Sequence, residues 1–201
     1  GNAMQVEYEA IHKAGFVLQL DCPDLGSSRN NIYKDLTEAE FLKIAERHVE
    51  VLNHATRNIP GDAMRLHLCW GSWHGPHVTD IALADIIEVV LAAKVGALSF
   101  EAGNVRHEHE WRVWRDVKLP KGSILIPGVI SHATNVVEHP ELVKERVVRL
   151  AKLVGRENVI AGTDCGFAQE ELNRRVHPSI MWAKLESMAE GARIASNRHW
   201  R

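Results

Sequence analysis

The 201-residue chain lacks the sequence features that mark several large functional classes. It has no GxGxxG or GxxxxGK motif, so the glycine-rich loops that cradle phosphates are not indicated. Its 24 Lys and Arg residues nearly balance its 26 Asp and Glu residues, and the formal charge is −2. This charge provides no strong field for attracting nucleic acid or an anionic membrane surface. We therefore expect neither as a partner.

Long apolar runs and a disulfide framework are also absent. The longest apolar stretches, such as 124–130 and 89–93, are far shorter than the roughly 20 residues of a membrane-spanning helix. The N-terminus has no charged-then-apolar signal pattern. Three cysteines, an odd number in a chain of this length, do not suit a disulfide scaffold. We therefore expect a reducing, cytoplasmic environment, in which a thiolate is available to bind metal.

The composition that is present belongs to an ordinary globular protein with an excess of 12 His and 6 Trp residues. Hydrophobic residues make up 45% of the chain and charged residues 25%, which is enough to build a sizeable core. No low-complexity tract or break in composition marks a linker. We therefore predict a single domain over residues 1–201.

Short apolar runs alternate with amphipathic stretches along the chain. The apolar runs predict five strands, over 16–20, 64–70, 96–102, 123–130 and 159–165. The amphipathic stretches predict helices over 37–56, 80–93, 108–115, 140–154 and 178–196. Thr37 and Glu40 form a capping-box pattern at the start of the first of these helices. Strands separated by helices predict parallel pairing with right-handed crossovers.

Two folds accommodate five strand–helix units, an open doubly wound sheet and part of a (β/α)₈ barrel. Reactive side chains fall at or just beyond the ends of the predicted strands, namely Asp21, His67, Cys69, Glu101, His132 and Cys165. In a barrel these ends converge on the one face that carries catalytic groups. This placement favours an α/β fold of the TIM-barrel family.

Four of these side chains form a candidate metal site. His67 and Cys69 are two residues apart on a predicted strand, so both point to the same face. With Glu101 and Cys165 they offer one imidazole, two thiols and one carboxylate, which zinc accepts and which magnesium and calcium do not favour. Simple burial is the alternative, since free cysteines are often buried. Glu101 fits that alternative less well, because burying an unpaired carboxylate is costly.

Four segments of the chain resemble the catalytic domain of cobalamin-independent methionine synthase: RLHLCWGSWHGPH, SFEAGNVRHEHEW, PGVISHATNVVEHPE and VIAGTDCGF. The resemblance is stronger to the short, single-domain branch of that family, which is related to epoxyalkane:coenzyme M transferase. It covers nearly the whole chain. It implies a zinc cofactor held by His67, Cys69, Glu101 and Cys165.

The resemblance also implies residues that contact the substrates. The family's QxDxP segment reads QLDCP here, which implies that Asp21 contacts the amino group of the thiol amino acid. The stretch GVISH implies His132 as the proton donor to a folate nitrogen, through an alignment with a one-residue gap; packing in a loop is the alternative. Trp70 and Trp73 follow the HxC pair and are expected either to stack on a flat pterin or to cover the barrel mouth.

The implied function is the zinc-dependent alkylation of a substrate thiol, with methylation of homocysteine to methionine as the type reaction. The partners would be a small-molecule thiol and a methyl or alkyl donor. One alternative is another thiol, such as coenzyme M, with an epoxide or a corrinoid methyl donor. A second alternative is an inactive zinc-binding partial barrel or one subunit of a split enzyme.

The five predicted units match the last five of the family's eight βα units, so we expect the first three strands to be missing. Those strands help to bind the amino acid and the folate in the family. A homo-oligomer or a complementing chain would supply them, or the chain would rearrange into an open sheet. Exposed apolar faces at Phe16, Leu18 and Ile126 lead us to expect association of the isolated chain.

Overall fold

The computed structural model describes residues 1–72, 76–167 and 175–199. Strands alternate with helices in this part of the chain. The strands are β1 (Leu18–Cys22), β2 (Met64–Leu68), β3 (Ala97–Phe100), β4 (Ile124–Ile130) and β5 (Gly162–Thr163). The α-helices are α1 (Asn2–Lys13), α2 (Ser27–Asn31), α3 (Glu38–Ala55), α4 (Leu83–Leu91), α5 (Pro140–Val154) and α6 (Pro178–His199). Short 3₁₀ helices cover Gly61–Ala63, Glu108–Arg115 and Arg156–Asn158.

The strands form a five-stranded sheet in the order β1-β2-β3-β4-β5. β1 and β2 pair in parallel, with Asp21 opposite His67. β4 and β5 also pair in parallel, with Gly128 opposite Gly162. The predicted α/β architecture with parallel strands is therefore confirmed, and closure into a barrel stays a prediction. None of the described helices is long and apolar enough to cross a bilayer.

The chain divides into two compact units. The first unit holds β1 and β2 with helices α1 to α4, and the second holds β4, β5, α5, α6 and the 3₁₀ helix Glu108–Arg115. One boundary between them falls within β3, between Leu98 and Ser99, and residues 120–123 belong to the first unit again. A single domain over residues 1–201 stays a prediction.

In the first unit, α3 begins at the predicted capping box. The Thr37 hydroxyl accepts the backbone N–H of Glu40, and the Glu40 carboxylate accepts the backbone N–H of Thr37 at 2.8 Å. The apolar spacing that follows buries Phe41, Ala45 and Val49 on one face of the helix. Local capping and periodicity therefore determine both the start of α3 and the face that packs into the core.

The first strand lies two residues later than the sequence predicts. A turn after α1 includes Gly15, whose φ is +88°, and the chain leaves this turn before it pairs with β2. Phe16 and Val17 are consequently 67% and 61% exposed. Leu18 is 3% exposed, so the expected exposed apolar face at this residue is wrong.

In the second unit, α5 matches its predicted range of 140–154. Pro140 occupies the first turn, and the ring of His139 accepts the backbone N–H of Glu141 at 3.2 Å. The core of this unit is built from Val129, Ile130 and Val143, against which these partly buried side chains pack: Val147, Ala161, Phe167, Leu185 and Met188.

Two predicted elements of the second unit differ in detail. The segment predicted as a helix over 108–115 is a 3₁₀ helix, in which Trp114 packs against Phe100 with ring centroids 5.6 Å apart. The fifth strand is limited to Gly162–Thr163, with an isolated bridge from Val159 to β4. It ends two residues before the predicted end at residue 165, because its register with β4 is irregular. The next residue, Asp164, accepts a hydrogen bond from the loop that follows β3.

Candidate functional site

The end of β2 brings His67 and Cys69 together in the first unit. Each is 6% exposed, and one ligand atom of each lies within 4.8 Å of the other. Strand alternation places Leu66 and Leu68, both 0% exposed, on the opposite face. The Cys69 sulfur also accepts the backbone N–H of Gly71 at 3.2 Å. The imidazole and thiol are therefore paired as the HxC spacing predicts.

Asp21 lies beside this pair on the neighbouring strand. It is opposite His67 in the parallel register of β1 and β2, and neighbouring strands are about 4.8 Å apart. Asp21 also lines a cavity of about 290 Å³ with Tyr8, Cys22 and Asp24, among other residues. His67 is not one of the residues that line this cavity. The recognition of a substrate amine by Asp21 stays a prediction.

Cys22, the last residue of β1, has a different environment from Cys69. Its side chain is buried, and burial together with the charges of Asp24 and Asp21 raises the pKa of its thiol to about 12. A thiol with this pKa stays protonated at neutral pH and is a poor metal ligand. We therefore interpret Cys22 as a structural residue.

Trp70 is fully buried in the first unit. Its indole Nε1 donates a hydrogen bond to the backbone oxygen of Ile81 at 2.7 Å. A Cβ atom on Gly26 would lie 2.6 Å from the backbone oxygen of Cys69 and 3.5 Å from the Trp70 ring, so glycine allows this close packing. A substrate contact by Trp70 stays a prediction, and Trp73 lies outside the described residues.

In the second unit, Glu101 directly follows β3 and is 0% exposed. Its Oε2 atom accepts hydrogen bonds from Asn104 Nδ2 at 2.7 Å and from Arg106 Nη2 at 3.2 Å. The amide and the guanidinium offset the cost of burying this carboxylate. Glu101 is therefore a buried carboxylate with partners in its own loop, and its role as a metal ligand stays a prediction.

Cys165 follows β5 and is half-buried. The residue before it, Asp164, is 0% exposed and binds the loop that follows β3. Its Oδ1 accepts the backbone N–H groups of Ala102 at 2.9 Å and Gly103 at 2.7 Å, and its Oδ2 accepts Asn104 Nδ2 at 3.0 Å. Burial raises the pKa of Asp164, and these hydrogen bonds oppose that shift. Asp164 thus connects the turn that carries Cys165 to the loop that carries Glu101.

His132 lies two residues after the end of β4 and is 1% exposed. Its burial leaves both earlier interpretations open, and the proton-donor role stays a prediction. A second buried histidine in this unit, His107, forms a hydrogen bond with Glu110, with 2.8 Å between Nδ1 and Oε2. The sequence did not single out this pair.

Sequence reasoning also missed Asn104, Arg106 and Asp164. Asn104 follows Glu101 by three residues, and its side-chain oxygen accepts the backbone N–H of Arg106 at 3.0 Å, which is a local turn pattern typical of asparagine. This spacing and the position of Asp164 next to Cys165 were the available signals.

Three described side chains have donor types that suit a metal ion, His67 and Cys69 in the first unit and Cys165 in the second. One imidazole nitrogen and two thiolate sulfurs are donors of the kind that zinc accepts, so the chemistry of the donor set fits zinc rather than magnesium or calcium, which prefer oxygen.

Known proteins share this fold. A solved structure of a B12-independent methionine synthase from Shewanella sp. W3-18-1, in complex with selenomethionine, matches with a TM-score of 0.72 at 16% identity. The match covers 98% of this chain and 54% of that chain. The uncharacterized protein YxjH of Bacillus subtilis (strain 168) is 25% identical over 154 residues, which cover 76% of this chain and 39% of YxjH. No family model matches. The chain therefore has a methionine-synthase-like fold and spans about half of the solved structure's chain.

Proposed function

We propose that this chain is part of a zinc-dependent transferase that alkylates a substrate thiol, with homocysteine methylation as its reaction. The observation that carries the proposal is the buried pair of His67 and Cys69 at the end of β2, on a methionine-synthase-like fold in which Cys165 offers a second thiol. Neither part is sufficient alone, because one fold hosts many chemistries and buried cysteines are common. Together they favour thiol chemistry at a metal.

In this proposal His67, Cys69 and Cys165 hold the zinc ion, and Glu101 is the fourth ligand. Bound zinc supplies the positive charge that keeps a coordinated substrate thiol deprotonated near neutral pH. The two protein thiolates and the carboxylate lower the net charge of the site, so a bound sulfur stays electron-rich. This ligand set favours attack by a thiolate on an alkyl carbon over activation of water.

Two further residues would handle the substrates. Asp21 binds the α-amino group of homocysteine, which the position of Asp21 opposite His67 supports. His132 donates a proton to the leaving nitrogen of the methyl donor. Its burial just beyond the end of β4 supports a shielded site for this proton. A different thiol acceptor, such as coenzyme M, would not need the Asp21 contact.

Zinc content tests the metal site. Elemental analysis of protein purified without added metal should give close to one zinc per chain. His67→Ala and Cys165→Ser should lower this value sharply, because each removes a ligand. Cys22→Ser is the matched control, since it removes a buried thiol that the proposal keeps away from the metal. Full zinc retention in both ligand variants would overturn the assignment.

X-ray absorption at the zinc edge tests the reaction class. Addition of homocysteine should add a sulfur ligand to the zinc shell. Asp21→Asn should weaken homocysteine binding roughly ten- to hundredfold, since a charged hydrogen bond contributes about 1.5–3 kcal/mol, and should leave mercaptoethanesulfonate binding unchanged. Equal weakening of both thiols would refute amine recognition by Asp21, and no added sulfur would refute the mechanism.

A further inference from the structure

We propose that Asp164 and Asn104 are positioning residues that set the zinc affinity of the site without touching the metal. They hold the Glu101 carboxylate and the Cys165 turn in one arrangement. The inference rests on the proposed function, because it takes Glu101 and Cys165 as metal ligands. All four residues belong to the second unit.

Asp164 fixes the loop that follows β3. Its Oδ1 accepts two consecutive backbone N–H groups, from Ala102 at 2.9 Å and from Gly103 at 2.7 Å. Two amides directed at one buried carboxylate oxygen define the path of the chain immediately after Glu101. Because Asp164 is bonded directly to Cys165, the same carboxylate also limits the movement of the Cys165 backbone.

Asn104 connects the two buried carboxylates. Its Nδ2 donates to Glu101 Oε2 at 2.7 Å and to Asp164 Oδ2 at 3.0 Å. Its Oδ1 accepts the backbone N–H groups of Arg106 at 3.0 Å and His107 at 3.3 Å. A flipped amide would direct oxygen at two carboxylates and nitrogen at two N–H groups, so all these contacts select one orientation.

The backbone around Asp164 is shaped for a carboxylate at this position. A Cβ atom on Gly128 would lie 2.1 Å from Asp164 Oδ1, and a Cβ atom on Gly103 would lie 3.2 Å from the same oxygen. Glycine at both places lets the chain approach the carboxylate closely. These close approaches are an observation independent of the hydrogen bonds, and they indicate a preorganised site.

Hydrogen-bonded partners of metal ligands typically change metal affinity 10- to 100-fold when they are removed. Asp164→Asn replaces one carboxylate oxygen by an NH₂ group, which cannot accept hydrogen bonds, and removes the negative charge that the backbone N–H groups face. Asn104→Ala removes the link between Glu101 and Asp164. We expect each variant to weaken zinc binding about tenfold or more. Asp116→Asn, at an exposed residue of the same unit, is the control and should bind zinc like the wild type.

The experiment is a competition titration of zinc between the protein and a chromophoric chelator, with circular dichroism to verify folding. Cobalt substitution provides a second measurement, because the visible bands of Co²⁺ report ligand geometry. We expect these bands to shift in Asp164→Asn and Asn104→Ala and to stay unchanged in Asp116→Asn. If Asp164→Asn does not fold, Asn104→Ala decides the outcome, since it removes only a side-chain amide from a loop.

A double-mutant comparison separates positioning from general destabilisation. If Asn104 acts through Glu101, then Asn104→Ala should cost little further affinity when Glu101→Gln is already present. Fully additive losses would overturn the link through Glu101. Wild-type zinc affinity in both folded single variants would overturn the positioning role. Absence of zinc binding by the wild type would instead refute the proposed function itself.

Discussion

The three cysteines differ in what surrounds their sulfur atoms. Cys69 accepts a backbone N–H, and Cys165 lies half-buried after a turn. Cys22 lies near two carboxylates in a buried position, which raises the pKa of its thiol to about 12. The surroundings thus divide the cysteines into two candidate ligands and one inert thiol, a division that residue type alone does not reveal.

Cys22 should make the protein lose stability at alkaline pH. Its folded-state pKa of about 12 lies above the ordinary thiol value of 9.0, so its contribution to stability is complete below about pH 9 and is lost as the pH rises toward 12. The loss is at most about 1.4 kcal/mol per pH unit. Urea unfolding near pH 8 and pH 10 should show a steeper decline for the wild type than for Cys22→Ala. Identical declines would refute this effect.

At the scale of single elements, the capping box of α3 should contribute measurable stability. Thr37→Ala removes the side-chain acceptor of the Glu40 N–H and should lower the free energy of unfolding by about 1 kcal/mol. Thr37→Ser keeps a hydroxyl and is the control, with an expected change well below that. Denaturant unfolding measures both. Equal stability of the alanine and serine variants would contradict a capping role.

Gly128 in β4 packs so closely against Asp164 that a larger residue at this position should destabilise the fold. An added Cβ would lie 2.5 Å from the Asp164 Cα atom, so Gly128→Ala forces backbone displacement and should cost at least about 1–3 kcal/mol. Gly166→Ala is the matched control, because among the described residues no atom beyond its chain neighbours lies within 4 Å of its added Cβ. Thermal unfolding of both variants tests this expectation, and similar midpoints would contradict the close contact.

Elements with strong local signals could be predicted, and those shaped by distant contacts could not. The capping box at Thr37 and the Pro140 start defined α3 and α5 within the sequence itself. The start of β1 at Leu18, two residues later than predicted, depends on the turn at Gly15 and on where pairing with β2 begins. The early end of β5 depends on Asp164, whose partners lie about 60 residues away. In the candidate site, the spacing of His67 and Cys69 can be recognised in the local sequence. The hydrogen bond from Asn104 to Asp164 cannot, because the two residues are 60 positions apart.

At the scale of the whole molecule, we still expect the isolated chain to associate. Phe16 and Val17 expose 67% and 61% of their surface, and burying apolar surface contributes about 25 cal/mol per Å². Light scattering should give a mass above 22.5 kDa at micromolar concentration. Phe16→Ser with Val17→Ser should shift this mass downward. A 22.5 kDa monomer for the wild type would refute the expectation.

Zinc should also stabilise the folded chain as a whole. A ligand that binds only the folded state adds about 2.7 kcal/mol when its free concentration is 100 times its dissociation constant. Removing zinc with a chelator should therefore lower the midpoint of thermal unfolding, and adding zinc back should restore it. Cys165→Ser should show little response to either treatment. A response equal to that of the wild type would argue against Cys165 as a ligand.

The carboxylate of Asp164 also affects how slowly the chain exchanges its amide hydrogens with solvent. The N–H groups of Ala102 and Gly103 lie outside any strand or helix, yet both are buried and bonded to this carboxylate. Such amides exchange only when the surrounding structure opens. The loop after β3 should thus be protected like a strand, whereas exposed Gly122 exchanges quickly. The slowly exchanging part of the second unit then extends beyond its regular secondary structure, into the loop that carries Glu101.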